Sequence, residues 1–341
     1  MRSTIYHLFL LLSLALFAGT ACRKVTAAGA AGPTSESLLN YLQNNYSFSL
    51  FYHAIQVTGL DSVLNGTTAY TLLVADNDAF ARDSIFTTDS LDHMNSDTLL
   101  HWMQYHIVPG SIRVADIPQT VNNLYTTISR LPIYLSRPEP GEFQKQTDFA
   151  HLLHINGVNV NTPDVIASDG VIQVLNTPLK IPVASVQAYL SSHPEYSELV
   201  TGLQHFGLWD QLSGPGPFTI FAPNNASFDG INVTPDSVNV LDTVRFQKSL
   251  FGIYVLTPAR VFLTDLIDVG WGGTGAGGQN AFITTSGTYT YYNGDLIDPG
   301  IDPVTQQPVP YAYWTETDNI TLNGVVQGMQ GVLLTPGQTT K

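Results

Sequence analysis

The sequence predicts two tandem units that each mix short helices with strands, and three observations carry that expectation. Tyr41 to Phe80 aligns with Tyr189 to Phe228 without a gap at a shift of 148, with 11 identities in 40 positions, so one fold is used twice. Each copy sets apolar residues at helical spacing ahead of a short apolar run with the composition of a buried strand. The composition, with 12% charged residues, 28 Gly and 20 Pro, points away from helical bundles and toward strands and turns.

In chain order, the first element is a ten-residue apolar run, Leu8 to Phe17, which follows Arg2 and gives way to small residues before Cys22. It is too short to span a bilayer, which takes about 20 apolar residues, and fits the h-region of a secretory signal. The segment resembles a bacterial lipoprotein signal, whose cysteine is acylated and becomes the first residue of the mature chain. It departs from that pattern at Gly19, where a leucine is usual. Residues 1–21 are thus expected as signal peptide and Cys22, the only cysteine, as the lipidation site. The competing account is an ordinary signal cleaved near Ala21, with Cys22 an idle thiol. Residues 22–36 have no periodicity and little to bury, and read as a flexible tether.

The repeat then gives two units, 37–182 and 183–341. Each opens on helix-spaced apolar residues, Phe51 and Ile55 or Leu199 and Leu203, followed by Gly59-Leu60 or Gly207-Leu208. Glycine there suits a helix end, because it tolerates the left-handed conformation. Turns follow at Asn65-Gly66 and Gly214-Pro215-Gly216, then the strand-and-turn segments TLLVADNDAF (71–80) and TIFAPNNASF (219–228). Both copies close alike, with GVIQVLNTPLKIP (170–182) matching GVVQGMQGVLLTP (324–336) at a shift of 154.

TIFAPNNASF, the pair Tyr105-His106 followed by Ile107-Val108-Pro109-Gly110, and Asp169-Gly170-Val171-Ile172-Gln173 together make each unit resemble the fasciclin-like domain. The resemblance implies an α/β (α+β) wedge, a twisted sheet packed with several short helices. It also implies adhesion or ligand binding at cell surfaces rather than catalysis. Read against the pair Tyr105-His106, Tyr254 keeps the tyrosine and Val255 stands in place of the histidine.

Other constellations are weighed on spacing. His101 and His106 are five apart and point to different faces of a helix, unlike a metal-binding pair four apart. His151 and His154 lie in a segment that looks like a strand entering a turn. His106 is expected to bond a backbone carbonyl at the chain reversal, the alternative being direct contact with a partner. Gly273, Gly275 and Gly278 have dinucleotide-loop spacing, but strand composition follows where a helix is needed. Asp295, Asp298 and Asp302 offer oxygens to calcium at a spacing that matches no ligand loop. Six Asp-Ser/Thr-apolar triplets, beginning at Asp61, Asp83, Asp89, Asp97, Asp236 and Asp242, resemble a bacterial O-glycosylation acceptor and equally suit helix caps and turns. No cofactor or metal is expected.

Charge narrows the partners. With 27 acidic and 13 basic residues and a formal net charge of -14, nucleic acid is a poor partner. The expected protein is a non-catalytic surface lipoprotein, anchored in the bacterial outer membrane by Cys22 alone, that binds a surface glycan or an extracellular protein. The alternative is an extracytoplasmic hydrolase or metal-dependent enzyme. The candidate binding surface lies in the second unit, where Tyr289 and Tyr291 alternate on one strand and Tyr311 and Tyr313, with Trp314 beside them, on another. The competing account places these tyrosines in the core.

Overall fold

The computed structural model describes residues 36–137, 153–182, 184–231, 233–244, 249–268, 279–284, 287–292, 296–298, 306 and 312–333, with the strands between 279 and 298 described by backbone. Cys22, Tyr311, His151, the glycines at 273–278, Asp295 and Asp302 lie outside the described residues, as do the signal and all but the last residue of the tether.

The apolar runs found in both copies form the paired centre of each sheet. Tyr70–Ala75 lies parallel to Gly170–Leu175, and Phe218–Pro223 lies parallel to Gly324–Gln330. These strands are buried on both faces, which explains why they read as continuous rather than alternating apolar segments. The first sheet runs Ile107–Pro109, Tyr70–Ala75, Gly170–Leu175, Val158–Ala167, His154–Ile155, Pro132–Ser136, Asn123–Thr126. Its far edge curls back toward its start, where the Ile128 amide donates to the Ile107 carbonyl at 2.9 Å. One apolar core, with Tyr105, Ile133, Leu135 and Leu175, lies inside that curl; a second, with Phe51, Phe80 and Ile172, lies between the sheet and the helices.

The second sheet repeats the order. Val255–Leu256, Phe218–Pro223 and Gly324–Gln330 are followed by Ala312–Trp314, Leu296–Asp298, Gly287–Tyr292 and Gln279–Thr284. The long strand Val158–Ala167, already irregular between Val160 and Val165, is divided here into Ala312–Trp314 and Asn319–Thr321.

The local signals act as the residue types dictate. Ser37 and Ser185 accept from Asn40 N and Ala188 N to start the first helix of each unit, and Asp76 and Asn224 do the same after each central strand. Gly59 (φ +69°) and Gly207 (φ +65°) end helices. The amides of Gly59 and Leu60 return to Gln56 O and Ile55 O, and those of Gly207 and Leu208 to Gln204 O and Leu203 O, so the leucine folds back over the last turn. His154–Ile155 does enter a turn, Asn156-Gly157, with both residues at positive φ.

The same polar strut braces both domains. Gln173 donates to the Ile112 carbonyl and to Asp164, whose amide returns to Gln173 Oε1 at 3.0 Å. Gln327, Val261 and Asp318 repeat this arrangement. Each carboxylate then takes one further amide, from Val114 or Leu263.

Candidate functional site

Tyr105 and His106 end the helix Ser96–Tyr105, and both are buried. The histidine does bond a carbonyl, although it is the one a helical turn earlier: Nδ1 lies 2.9 Å from Trp102 O. A carbonyl only accepts, so Nδ1 carries the proton and Nε2 is free to accept from the Leu179 amide, also at 2.9 Å. Trp102 Nε1 donates to Leu179 O at 2.8 Å, so the helix end grips both backbone groups of one residue near the close of the domain. Burial pushes the imidazole down to about 4, against the opposing pull of the Trp102 carbonyl. Tyr105 donates to Pro132 O and accepts from Asn156 Nδ2, and burial pushes its hydroxyl up.

The backbone corrects the reading of the second copy. Leu73 N bonds His106 O and Phe221 N bonds Tyr254 O, while Leu72 pairs with Ile107 and Ile220 with Val255. Tyr254 therefore holds the place of His106, and Val255 that of Ile107. Leu179 and Leu333 also correspond, and Tyr254 Oη accepts from the Leu333 amide at 3.1 Å. The second domain keeps the clamp and makes it with a phenol. The copies fall out of step only beyond this strand, where Thr71 and Thr219 bond Gly110 O and Ala259 O, a shift of 149.

The aromatic strands of the second domain are arranged differently from the expectation. Trp314 packs on Phe221, with centroids 5.7 Å apart, against the core, whereas Tyr313 is 41% exposed. The two cannot form one aromatic surface, because successive strand residues face opposite sides. Cross-strand register places Tyr292, Leu296, Tyr313 and Gln330 in one row, and Tyr291, Ile297 and buried Ala312 in another. Tyr289 lies two residues from Tyr291, opposite Phe282. The residue brought into line with Tyr313 is Tyr292.

Beside Tyr313 the strand continues to Thr315, whose amide bonds Gly328 O. Gly328 forms a floor without a Cβ: one added there would lie 2.6 Å from Tyr196 Oη and 2.9 Å from Thr315 Oγ1. The stacked rings of Tyr189 and His193, 4.0 Å apart, stand next to Tyr196. Burial raises the Tyr196 hydroxyl to about 12, helped by the charges of Glu316 and Glu195; burial, Tyr196 and the same two carboxylates raise Tyr189. Thr315, Glu316, Glu195 and Gln330 are exposed. The result is a shelf on which the exposed Tyr313, Thr315 and Gln330 stand beside the buried Gly328 and Tyr196, with negative charge along its edge. In the first domain Val174 stands for Gly328, Phe48 for Tyr196 and Asn45 for His193, so the polar floor is a property of the second copy alone.

Among the described residues there is no group of three or more His, Cys, Asp or Glu placed to hold a metal ion. Several hydroxyls of the Asp-Ser/Thr triplets are engaged locally at helix starts: Ser62 bonds Gly59 O, Thr98 bonds Asn95 and Ser237 closes a capping box.

Comparison with known proteins follows the repeat. The fasciclin domain matches twice, at residues 46–182 and 194–335. Mouse (Mus musculus) Stabilin-1 is 24% identical over 82% of this chain, and mouse Stabilin-2 is 26% identical over 53%. The chain spans only 10% and 7% of those two proteins. A solved FAS1 domain pair from the insect cell adhesion molecule Fasciclin I is 17% identical, with a TM-score of 0.40, covering 87% of this chain and 100% of that one.

Proposed function

Because the chain belongs to the fasciclin-domain family, we propose that it is a non-catalytic adhesion protein whose ligand, a cell-surface glycan, rests on the Tyr313 shelf of the second domain. Fasciclin domains are cell-adhesion domains, typically extracellular or on the cell surface, and the family is generally non-enzymatic. The observation that carries the reading is the exposed Tyr313 flanked by the exposed polar side chains of Thr315, Glu316 and Gln330, above a buried floor of Gly328 and Tyr196. An aromatic face of this kind packs against the apolar face of a sugar ring while hydroxyls and amides bond its rim. Glu195 and Glu316, in a chain with a net charge of -14, disfavour uronic or sialic acids and favour neutral or amine-bearing sugars. Acylation of Cys22 would hold both domains at the outer membrane surface; among the described residues no helix is long and apolar enough to cross a membrane.

A glycan array probed with residues 37–341 tests the reading. Neutral and amino sugars should be retained over acidic ones, and Tyr313→Ala should abolish the signal without changing the melting temperature. Retention untouched by Tyr313→Ala would remove the shelf from the account, and retention of an extracellular protein with no glycan bound would change the class of partner.

A further inference from the structure

The two domains meet through a contact in which polar groups surround a small apolar cluster of Tyr134 with Phe262, Ile320 and Val325. From the first domain come Asn122, Tyr134, Ser136, His154, Lys180 and the tip at Gly157; from the second come Arg260, Phe262, Asp265, Asp318 and Asn319. A Cβ on Gly157 would lie 2.5 Å from an Asp318 carboxyl oxygen. Asn122 Nδ2 donates to Arg260 O, Lys180 Nζ donates to Asn319, and the Arg260 guanidinium sits 4.3 Å from the centre of the Tyr134 ring, which also meets Phe262. Within this contact lie three buried polar atoms without a hydrogen-bond partner: Asn122 Oδ1, Arg260 Nε and Asp265 Oδ1. Two of them, the Asn122 and Asp265 oxygens, are pure acceptors, and an interior that holds unfilled acceptors gains from an added proton.

We propose that this contact is a proton-linked joint, closed when the Asp265 carboxyl is protonated and loosened when it ionises. Asp265 is 4% exposed, and its other oxygen accepts the Phe262 amide at 3.1 Å. The groups that face it are His154 and the Ser136 hydroxyl across the joint and Asp318 in its own domain, with Lys180 near Asp318. Burial raises its carboxyl to about 6, while the Ser136 hydroxyl, the Phe262 amide and His154 pull the other way. A carboxyl that holds its proton more tightly in the closed form favours closure fully below its ordinary value near 3.8, and that contribution is lost as the pH rises through about 6. Opening would free the second domain, and with it the shelf, to change its direction relative to the first. The relation to adhesion rests on the proposed function; the joint does not.

Hydrogen exchange on the full chain between pH 4 and pH 8, corrected for intrinsic rates, reads the joint at the amides of Asn156 and Leu263, which bond Tyr134 O and Asp318 within their own domains at the contact. Their protection should fall on the order of tenfold to a hundredfold across that range, while the amide of Leu73 in the first core stays protected at pH 6 and above. In Asp265→Asn the fall should vanish. Ser136→Ala, which removes a group favouring the charged form, should move the midpoint upward and serves if the first variant fails to fold. The proposal is overturned if Asp265→Asn keeps the wild-type slope, if Ser136→Ala leaves the midpoint in place, or if His154→Gln alone removes the slope. Exchange does not depend on glycan binding, so either idea can fail without the other.

Discussion

Replacing His106 with valine tests the clamp at the end of the helix Ser96–Tyr105. The change removes the bond to Trp102 O and leaves the Leu179 amide, otherwise satisfied by Nε2 at 2.9 Å, buried without a partner. An unpaired buried donor costs about 1–3 kcal/mol. The ring also loses its edge contacts with Phe51 and Trp102, at 5.9 and 5.7 Å between centroids, so a total near 2–4 kcal/mol is expected for the first domain. At this domain size that is roughly 4–12 °C in melting temperature. The same imidazole predicts an acid response. Its folded value of about 4 lies below its ordinary 6.5, so the stability it contributes is present above pH 6.5 and lost as the pH falls toward 4, by about 3 kcal/mol. Thermal unfolding of His106→Val between pH 4 and pH 8 should show a lower transition for the first domain and a flatter acid limb. His106→Tyr, which writes the arrangement of Tyr254 into the first copy, should recover part of the loss. A valine variant with wild-type stability and an unchanged pH profile would refute the clamp.

Gly157→Ala should loosen the joint, because Gly157 sits at φ +82° and a Cβ there meets Asp318; its signature is increased exchange at Leu263 with little change at Leu73. Trp314→Ala should destabilise the second domain by about 2 kcal/mol through lost packing on Phe221, measured by denaturant titration, whereas Tyr313→Ala should leave the transition in place. Feeding cells a labelled fatty acid should mark wild type and not Cys22→Ser, and equal label in both would end the lipidation proposal.

Much of the fold was legible because its signals are local or repeated. The helix ends at Gly59-Leu60 and Gly207-Leu208, the caps at Asp76 and Asn224 and the apolar central strands each announce themselves within a few residues. The partner of His106 did not, since Leu179 lies 73 residues further along the chain. Shared residue type pairs Tyr254 with Tyr105, whereas strand register, at the repeat's own shift of 148, pairs it with His106. The aromatic surface was half legible. Alternation does set Tyr313 and Trp314 on opposite faces, yet which face is open depends on Phe221 and on the helices around Tyr196. The floor of the shelf joins Tyr196 and Gly328 across 132 positions, and its signal was a difference between copies, Phe48 with Val174 against Tyr196 with Gly328.

The Tyr313 shelf is tested most directly by equilibrium binding of the best-retained glycan to residues 37–341, followed by mass analysis of the recovered sugar. Saturable binding that Tyr313→Ala abolishes, with every glycan molecule recovered intact, is the result it predicts; cleaved glycan, or binding that survives the loss of Tyr313, would contradict it.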